Sequence, residues 1–171
     1  KRNASSNEAS LKYVIYGAFS SGIMLYGLSI LFGLTGTTNF FAMQEAISSL
    51  GPEANLALVL STVFILVGFG YKISAVPFHF WTPDVYEGSP TAITAYLSVA
   101  PKAAGFALIL RFFNQIFSEM PNGLSDPWIS VNNLPWPQLI AILSAATMTL
   151  GNLVAIQQSS VKRMLAYSSI A

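Results

Sequence analysis

Residues 54–71 read ANLALVLSTVFILVGFGY, eighteen positions in a row with no charged side chain, and the next residue is Lys72. About twenty apolar residues in a helix cross a hydrocarbon layer of about 30 Å. A stretch of this length with no helix-breaking proline therefore predicts a membrane-crossing helix. Lipid offers backbone groups no hydrogen-bond partner, so only a helix can lie there in a chain laid out this way.

Three further stretches outward from this one have the same character. Thr91–Phe113 is apolar apart from Lys102 and Arg111, Leu139–Ile156 has no charge in 18 positions, and Tyr13–Leu34 has none in 22. A fifth helix is expected to begin near Lys162. The predicted fold is therefore all-α: a polytopic transmembrane bundle of four spans and the start of a fifth, with residues 1–171 forming one transmembrane region. The composition agrees. Of 171 residues, 53% are hydrophobic and 9% charged, against about 25% charged in an ordinary soluble domain. A water-soluble enzyme domain, a disordered chain and a nucleic-acid binder are excluded, since a formal net charge of +1 creates no field for phosphates. There is no cysteine, so disulfides, thiolate zinc sites and iron–sulfur ligation are excluded as well.

The connectors differ in kind. Thr35–Glu53 reads as a polar loop ending in Gly51-Pro52. Residues 114–137 carry five prolines and glycines among polar residues and read as a loop. Residues 77–90 hold Pro77, Pro83, Gly88 and Pro90, yet also Phe78, Phe80, Trp81 and Tyr86. Pro77 is expected to break the helix. The segment after it is expected to form a second half-helix at membrane depth, which is tolerated where it lines a cavity or polar path. With four spans, the N-terminus, this connector and the Gln157–Arg163 connector share one side. That side holds Lys1, Arg2, Lys162 and Arg163, while the opposite loops hold Glu45, Glu53, Glu119 and Asp126. The positive-inside rule makes the basic side cytoplasmic. Trp128 and Trp136 then read as anchors at the outer interface. The chain opens on Lys1 rather than Met and stops inside the new helix, so an internal piece of a longer subunit is expected.

Four side chains are candidates for chemistry. Lys102 is the twelfth residue of its stretch, too deep for its amine to reach either interface. It must face protein or a water-filled cavity, where desolvation disfavours the charged form and a proton can be exchanged. The plainer alternative is an ion pair that holds helices together. Lys72 stands just before the break at Pro77. It snorkels if the helix ends there, and it lines a path if the half-helix continues at depth. His79, the one histidine, suits a proton shuttle or plain packing. Lys12 lies four residues after Glu8, and its simplest reading is an i,i+4 pair at the membrane edge. A sharper one is an entry point for protons. Asp84 and Glu87, one helical turn apart, could gather protons or pair with basic residues, but read first as a solvated acidic face, and Lys162 and Arg163 read mainly as orientation charges. No nucleotide-binding glycine loop and no HExxH motif occurs.

The wording GYKISAVPFHFWTPDVYEGSPT at 70–91, with LSVAPKAA at 97–104, KRMLAYSSI at 162–170 and EASLKY at 8–13, closely resembles the subunit N family of proton-pumping NADH:quinone oxidoreductase, respiratory complex I. This family belongs to the antiporter-like membrane subunits. The resemblance spans the whole chain, which looks like the middle of such a subunit, from its sixth helix into its tenth. It implies proton translocation coupled to quinone reduction, with Lys72 matching the lysine of the broken seventh helix, Lys102 that of the eighth and Lys12 that of the sixth. It raises the proton-path reading of Lys12 above the simple pair. The glutamate expected to pair with Lys72 belongs to the fifth helix, upstream of Lys1. The resemblance also implies that this chain binds no cofactor itself, while NADH, FMN, iron–sulfur clusters and quinone act in the whole complex. The implied partners are other membrane-arm subunits, the lipid bilayer and protons, and the implied location is a bacterial inner membrane. Other readings are a subunit of a multi-subunit cation/proton antiporter and a structural spacer of the membrane arm. A related chloroplast-type complex that takes electrons from ferredoxin and reduces plastoquinone also stays open.

Overall fold

The computed structural model describes residues 4–118, 130–131 and 134–171. Seven α-helices are present among them: α1 (Ala4–Thr35), α2 (Phe40–Ser48), α3 (Asn55–Ile73), α4 (Trp81–Gly88), α5 (Thr91–Ile116), α6 (Trp136–Ile156) and α7 (Val161–Ile170). Helices α1, α5 and α6, and the 3-10 turn at Pro52–Ala54 continued by α3, are long and apolar enough to cross a membrane. The four expected spans are therefore present, each within a few residues of its apolar stretch except α1, which begins nine residues before Tyr13. That early turn carries Glu8 and Lys12. At 1.5 Å per residue, α1 is about 48 Å long, so its polar end projects beyond a 30 Å hydrocarbon core.

The helix ends follow from local chemistry. Gly36, with φ +67°, closes α1 and donates its N–H to Phe32 O at 2.7 Å, the left-handed cap that glycine adopts without steric cost. The Asn39 side chain caps α2 by accepting from Phe41 N and Ala42 N. This is a correction to the Thr35–Glu53 loop: its apolar residues Met43 and Ile47 are buried, and that burial organises a helix where composition suggested none. α3 is capped at Ser74, whose φ is +65°, with Ala75 N donating to Gly70 O at 2.8 Å.

Two apolar clusters hold the bundle. The larger joins α1, α2, α3, α5 and the start of α6 through Leu31, Ile47, Ile65, Phe69, Phe113 and Trp136. The smaller surrounds the break: Tyr71, Trp81, Val85, Tyr86 and Ala166. α1 and α3 approach closely at Gly27, where an added Cβ would lie 2.8 Å from Phe64 Cβ and where Ser61 Oγ donates to Gly27 O at 2.9 Å. Small residues at such crossings let apolar helices meet in lipid.

Trp136 is a second correction. It is buried, its Nε1 donates to Phe117 O at 3.1 Å, and its ring packs 5.4 Å from Phe113. The following proline-started helix turns the indole inward, where its N–H finds a carbonyl. Trp128, with Lys1, Arg2, Glu119 and Asp126, lies outside the described residues.

Candidate functional site

The break in the α3–α4 pair sets the site. Pro77 cannot continue a helix, and the chain turns between Ser74 and Phe80 before α4 begins. The Val76–Pro77 bond is cis. Trp81 Nε1 donates back to Tyr71 O at 3.1 Å, and Thr82 Oγ1 donates to Ser74 Oγ at 2.8 Å. The first satisfies a carbonyl that the helix end leaves open, and both fasten α4 to the end of α3. Tyr71 in turn donates its hydroxyl to Tyr13 O at 2.8 Å, which ties the break to α1.

Lys72 is in the last turn of α3 and is exposed on the surface of the described chain. It makes no ion pair among the described residues. Its stem lies against α5: a Cβ added at Gly105 would sit 3.6 Å from Lys72 Cγ and 2.8 Å from Ile73 Cγ2. His79 lies in the break, as expected, with 4% of its surface exposed. It stacks on Phe80 with centroids 4.6 Å apart, and its Nδ1 has no hydrogen-bond partner among the described residues.

Lys102 behaves as its depth in the sequence requires. It is 6% exposed in the middle of α5. Its Nζ donates to Ser169 Oγ at 2.9 Å and to Ser169 O, and no carboxylate pairs with it among the described residues. Thus the structure does not make it a helix-joining ion pair within the described residues. Its partners are neutral dipoles on α7.

Lys12 has the opposite environment. Its Nζ is 2.7 Å from Glu8 Oε1 and 2.6 Å from Asp84 Oδ2. Asp84 Oδ1 accepts from Arg163 Nη1 at 2.9 Å, and Arg163 also meets Glu87 Oε2 at 2.9 Å. The five groups alternate in sign along one chain and line a polar cavity of about 160 Å³ with Ser5 and Ala9. Here the sequence reading needs correcting. Asp84 is not part of a solvated acidic face, and Arg163 is more than an orientation charge. Asp84 is two-thirds covered because α1, α4 and α7 converge on it. Burial alone would push its carboxyl up. The Lys12 and Arg163 hydrogen bonds and charges outweigh this and hold it below the usual carboxylate range. Lys162 Nζ adds a bond to Ser89 O at 3.1 Å. Pairing of Asp84 with a basic residue is one reading the sequence leaves open, but which residues pair cannot be read locally, since 72 and 79 residues separate Asp84 from its partners. The contacts do bring together the three regions that the basic residues had assigned to one side of the membrane.

Comparison with known proteins decides the family. Residues 1–171 match the family model described as NADH:quinone oxidoreductase/Mrp antiporter, TM. The chain belongs to that family. Over all 171 residues it is 53% identical to NADH-quinone oxidoreductase subunit N 2 of Chloroherpeton thalassium, covering 32% of that relative. A chain in the structure of respiratory complex I from Thermus thermophilus with bound aureothin matches with a TM-score of 0.77 at 36% identity. The match covers 99% of this chain and 33% of that one. A chain of the Mrp complex from Dietzia sp. DQ12-45-1b shares the fold, with a TM-score of 0.74 at 22% identity over 99% of this chain and 28% of its own. The chain thus spans about a third of the length of the relatives it matches. Membership in this membrane family agrees with the four apolar spans and with the all-α fold. Among the described residues, no three His, Cys, Asp or Glu side chains are placed to hold a metal ion.

Proposed function

We propose that this chain carries protons across an energy-transducing membrane as part of the membrane arm of an NADH:quinone oxidoreductase, with Lys102, Lys72, Lys12 and His79 as the groups that take and release them. The observation that carries this reading is Lys102: a buried amine in mid-helix, held by Ser169 alone among the described residues and without a counter-charge. An amine in that position can change charge in response to a neighbouring charge, because nothing opposite in sign pins its proton. A change of one pKa unit corresponds to only about 1.4 kcal/mol.

In this reading the stem of Lys72 lies against Gly105, three residues after Lys102 on α5, and two amines on neighbouring helices repel when both are charged. Movement of a carboxylate toward or away from Lys72, supplied by a part of the subunit preceding this chain, would change which of the two holds a proton. Lys12, already paired, marks the cytoplasmic end of the path. The redox chemistry, with NADH, FMN, iron–sulfur clusters and quinone, belongs to other subunits. The partners are the neighbouring membrane-arm subunits and lipid. Support for lipid contact comes from the spanning helices themselves, since only 17% of the apolar window of α1 and 11% of that of α6 is covered by the chain's own packing. The membrane is the inner membrane of a bacterium, as the organisms of the relatives suggest.

The test is pumping by the assembled complex carrying Lys102→Ala or Lys72→Ala. Each is expected to lower the number of protons moved per electron. Unchanged stoichiometry in both would overturn the proposal and favour a structural spacer. Sodium-dependent exchange without quinone reduction would favour the cation/proton antiporter reading instead.

A further inference from the structure

Lys102 must be reloaded after it gives up a proton, and the side chain on the far side of its hydrogen-bond partner is informative. Ser169 Oγ, 2.9 Å from Lys102 Nζ, also lies 3.5 Å from the phenol oxygen of Tyr86 and 3.0 Å from Ala166 O. Tyr86 is 2% exposed. Its ring is packed against Trp81, with centroids 6.4 Å apart, and belongs to the small cluster with Val85 and Ala166. A phenylalanine would fill the same space. The hydroxyl adds a desolvation cost, and a contact of 3.5 Å returns little of it, because hydroxyl bonds are normally 2.7–2.8 Å. The hydroxyl is therefore poorly explained by packing. It does meet Ser169 Oγ, which in turn meets Lys102 Nζ. Tyr86 lies on α4 between Asp84 and Glu87, both of which line the polar cavity at the end of α1.

We propose that Tyr86 and Ser169 form a two-hydroxyl relay that reloads Lys102 with protons arriving at the α4–α7 face. In the reloading step the Ser169 Oγ–H bond breaks and its proton joins the Lys102 amine. The Tyr86 O–H proton passes to Ser169 Oγ. A protonated water admitted to the phenol by an opening at the α4–α7 face gives one proton to the Tyr86 oxygen. One proton enters, one is bound at Lys102, and both hydroxyls are restored. Thermal shortening of the 3.5 Å gap is the slow event. The relay rests on the proposed function, because it has work to do only if Lys102 cycles between charged and neutral.

The experiment measures proton pumping per electron in inverted membrane vesicles holding the full complex, by quenching of an acridine dye. The variants are Tyr86→Phe, Ser169→Ala, Ser169→Thr and Lys102→Ala. The difference between the parent and Lys102→Ala defines the Lys102-dependent pumping. Tyr86→Phe and Ser169→Ala are expected to slow that component about fivefold, the effect of one lost hydrogen bond. Ser169→Thr, which keeps a hydroxyl, is expected to restore it, and the parent is expected to show a solvent deuterium effect that Tyr86→Phe diminishes. A merely structural role for the hydroxyls would not move the isotope effect. If Lys102→Ala loses pumping while Tyr86→Phe and Ser169→Ala pump like the parent, the relay is wrong and the proposed function stands. If Lys102→Ala itself pumps like the parent, the proposed function fails first. If Ser169→Ala does not assemble, Tyr86→Phe decides alone, since it alters one atom and keeps the packed ring.

Discussion

Lys12 and Lys102 are both lysines on spanning helices, and the structure treats them in opposite ways. Lys12 has two carboxylates within 2.7 Å and is a third exposed. Lys102 is buried and, among the described residues, meets the hydroxyl and carbonyl of one serine. A charge between opposite charges is held in place. A charge among neutral dipoles is held weakly, and its proton can be taken or returned by a small change nearby. The two sites therefore differ in kind: ion pairs join α1, α4 and α7 in a clasp around Lys12, while the α5 amine of Lys102 meets neutral dipoles among the described residues.

The strongest way to break this contrast is to make Lys102 resemble Lys12. Lys102→Arg keeps a positive charge that does not release its proton, and Ser169→Asp supplies the missing carboxylate. Both are expected to remove Lys102-dependent pumping while the complex still assembles, measured as protons moved per electron and by the intact complex on a native gel. Full pumping in either would mean that Lys102 does not cycle.

A smaller effect is expected from making the clasp resemble the Lys102 site. Asp84→Asn leaves Lys12 with Glu8 and Arg163 with Glu87, so two weaker pairs replace one shared network. Its side chains are about a third exposed, where solvent screens such pairs, so the loss should amount to about 2 °C in the unfolding temperature of the purified complex. An unchanged temperature would show that the clasp contributes nothing to holding the helices.

The pH dependence of that difference is the finest test. The folded protein holds Asp84 below its ordinary value of 3.8. The stability it contributes is complete above that ordinary value and disappears as pH falls through the depressed one. The gap between the parent and Asp84→Asn should therefore be constant from about pH 7 to about pH 5 and narrow below about pH 4. A gap that widens on acidification would contradict the assignment. Glu87→Gln, which leaves Arg163 its bond to Asp84, should change the unfolding temperature least.

The parts of the fold that were legible in the sequence rest on local requirements. An apolar run of about twenty residues can satisfy its backbone in lipid only as a helix. A proline strains a helix interior: α3 ends at Ile73, just before Pro77, whereas α5 continues through Pro101; and a lysine in the twelfth position of a span cannot reach water from there. Those rules located α3, α5 and α6, the break at Pro77 and the burial of Lys102. They missed α2, whose burial comes from helices elsewhere in the chain, and they misplaced Trp136, whose partner carbonyl is Phe117 O.

From the sequence alone, then, the chain is determined to be a membrane-spanning helical bundle with one interrupted helix and at least one lysine set deep inside. Only the tertiary structure decided which charges are paired. Glu8 lies one turn from Lys12 and was readable, but Asp84, Arg163, Ser169 and Tyr86 reach their partners across 72, 79, 67 and 83 residues. Side chains so far apart along the chain meet only because the helices pack, and packing is a property of all the helices together rather than of any stretch of residues.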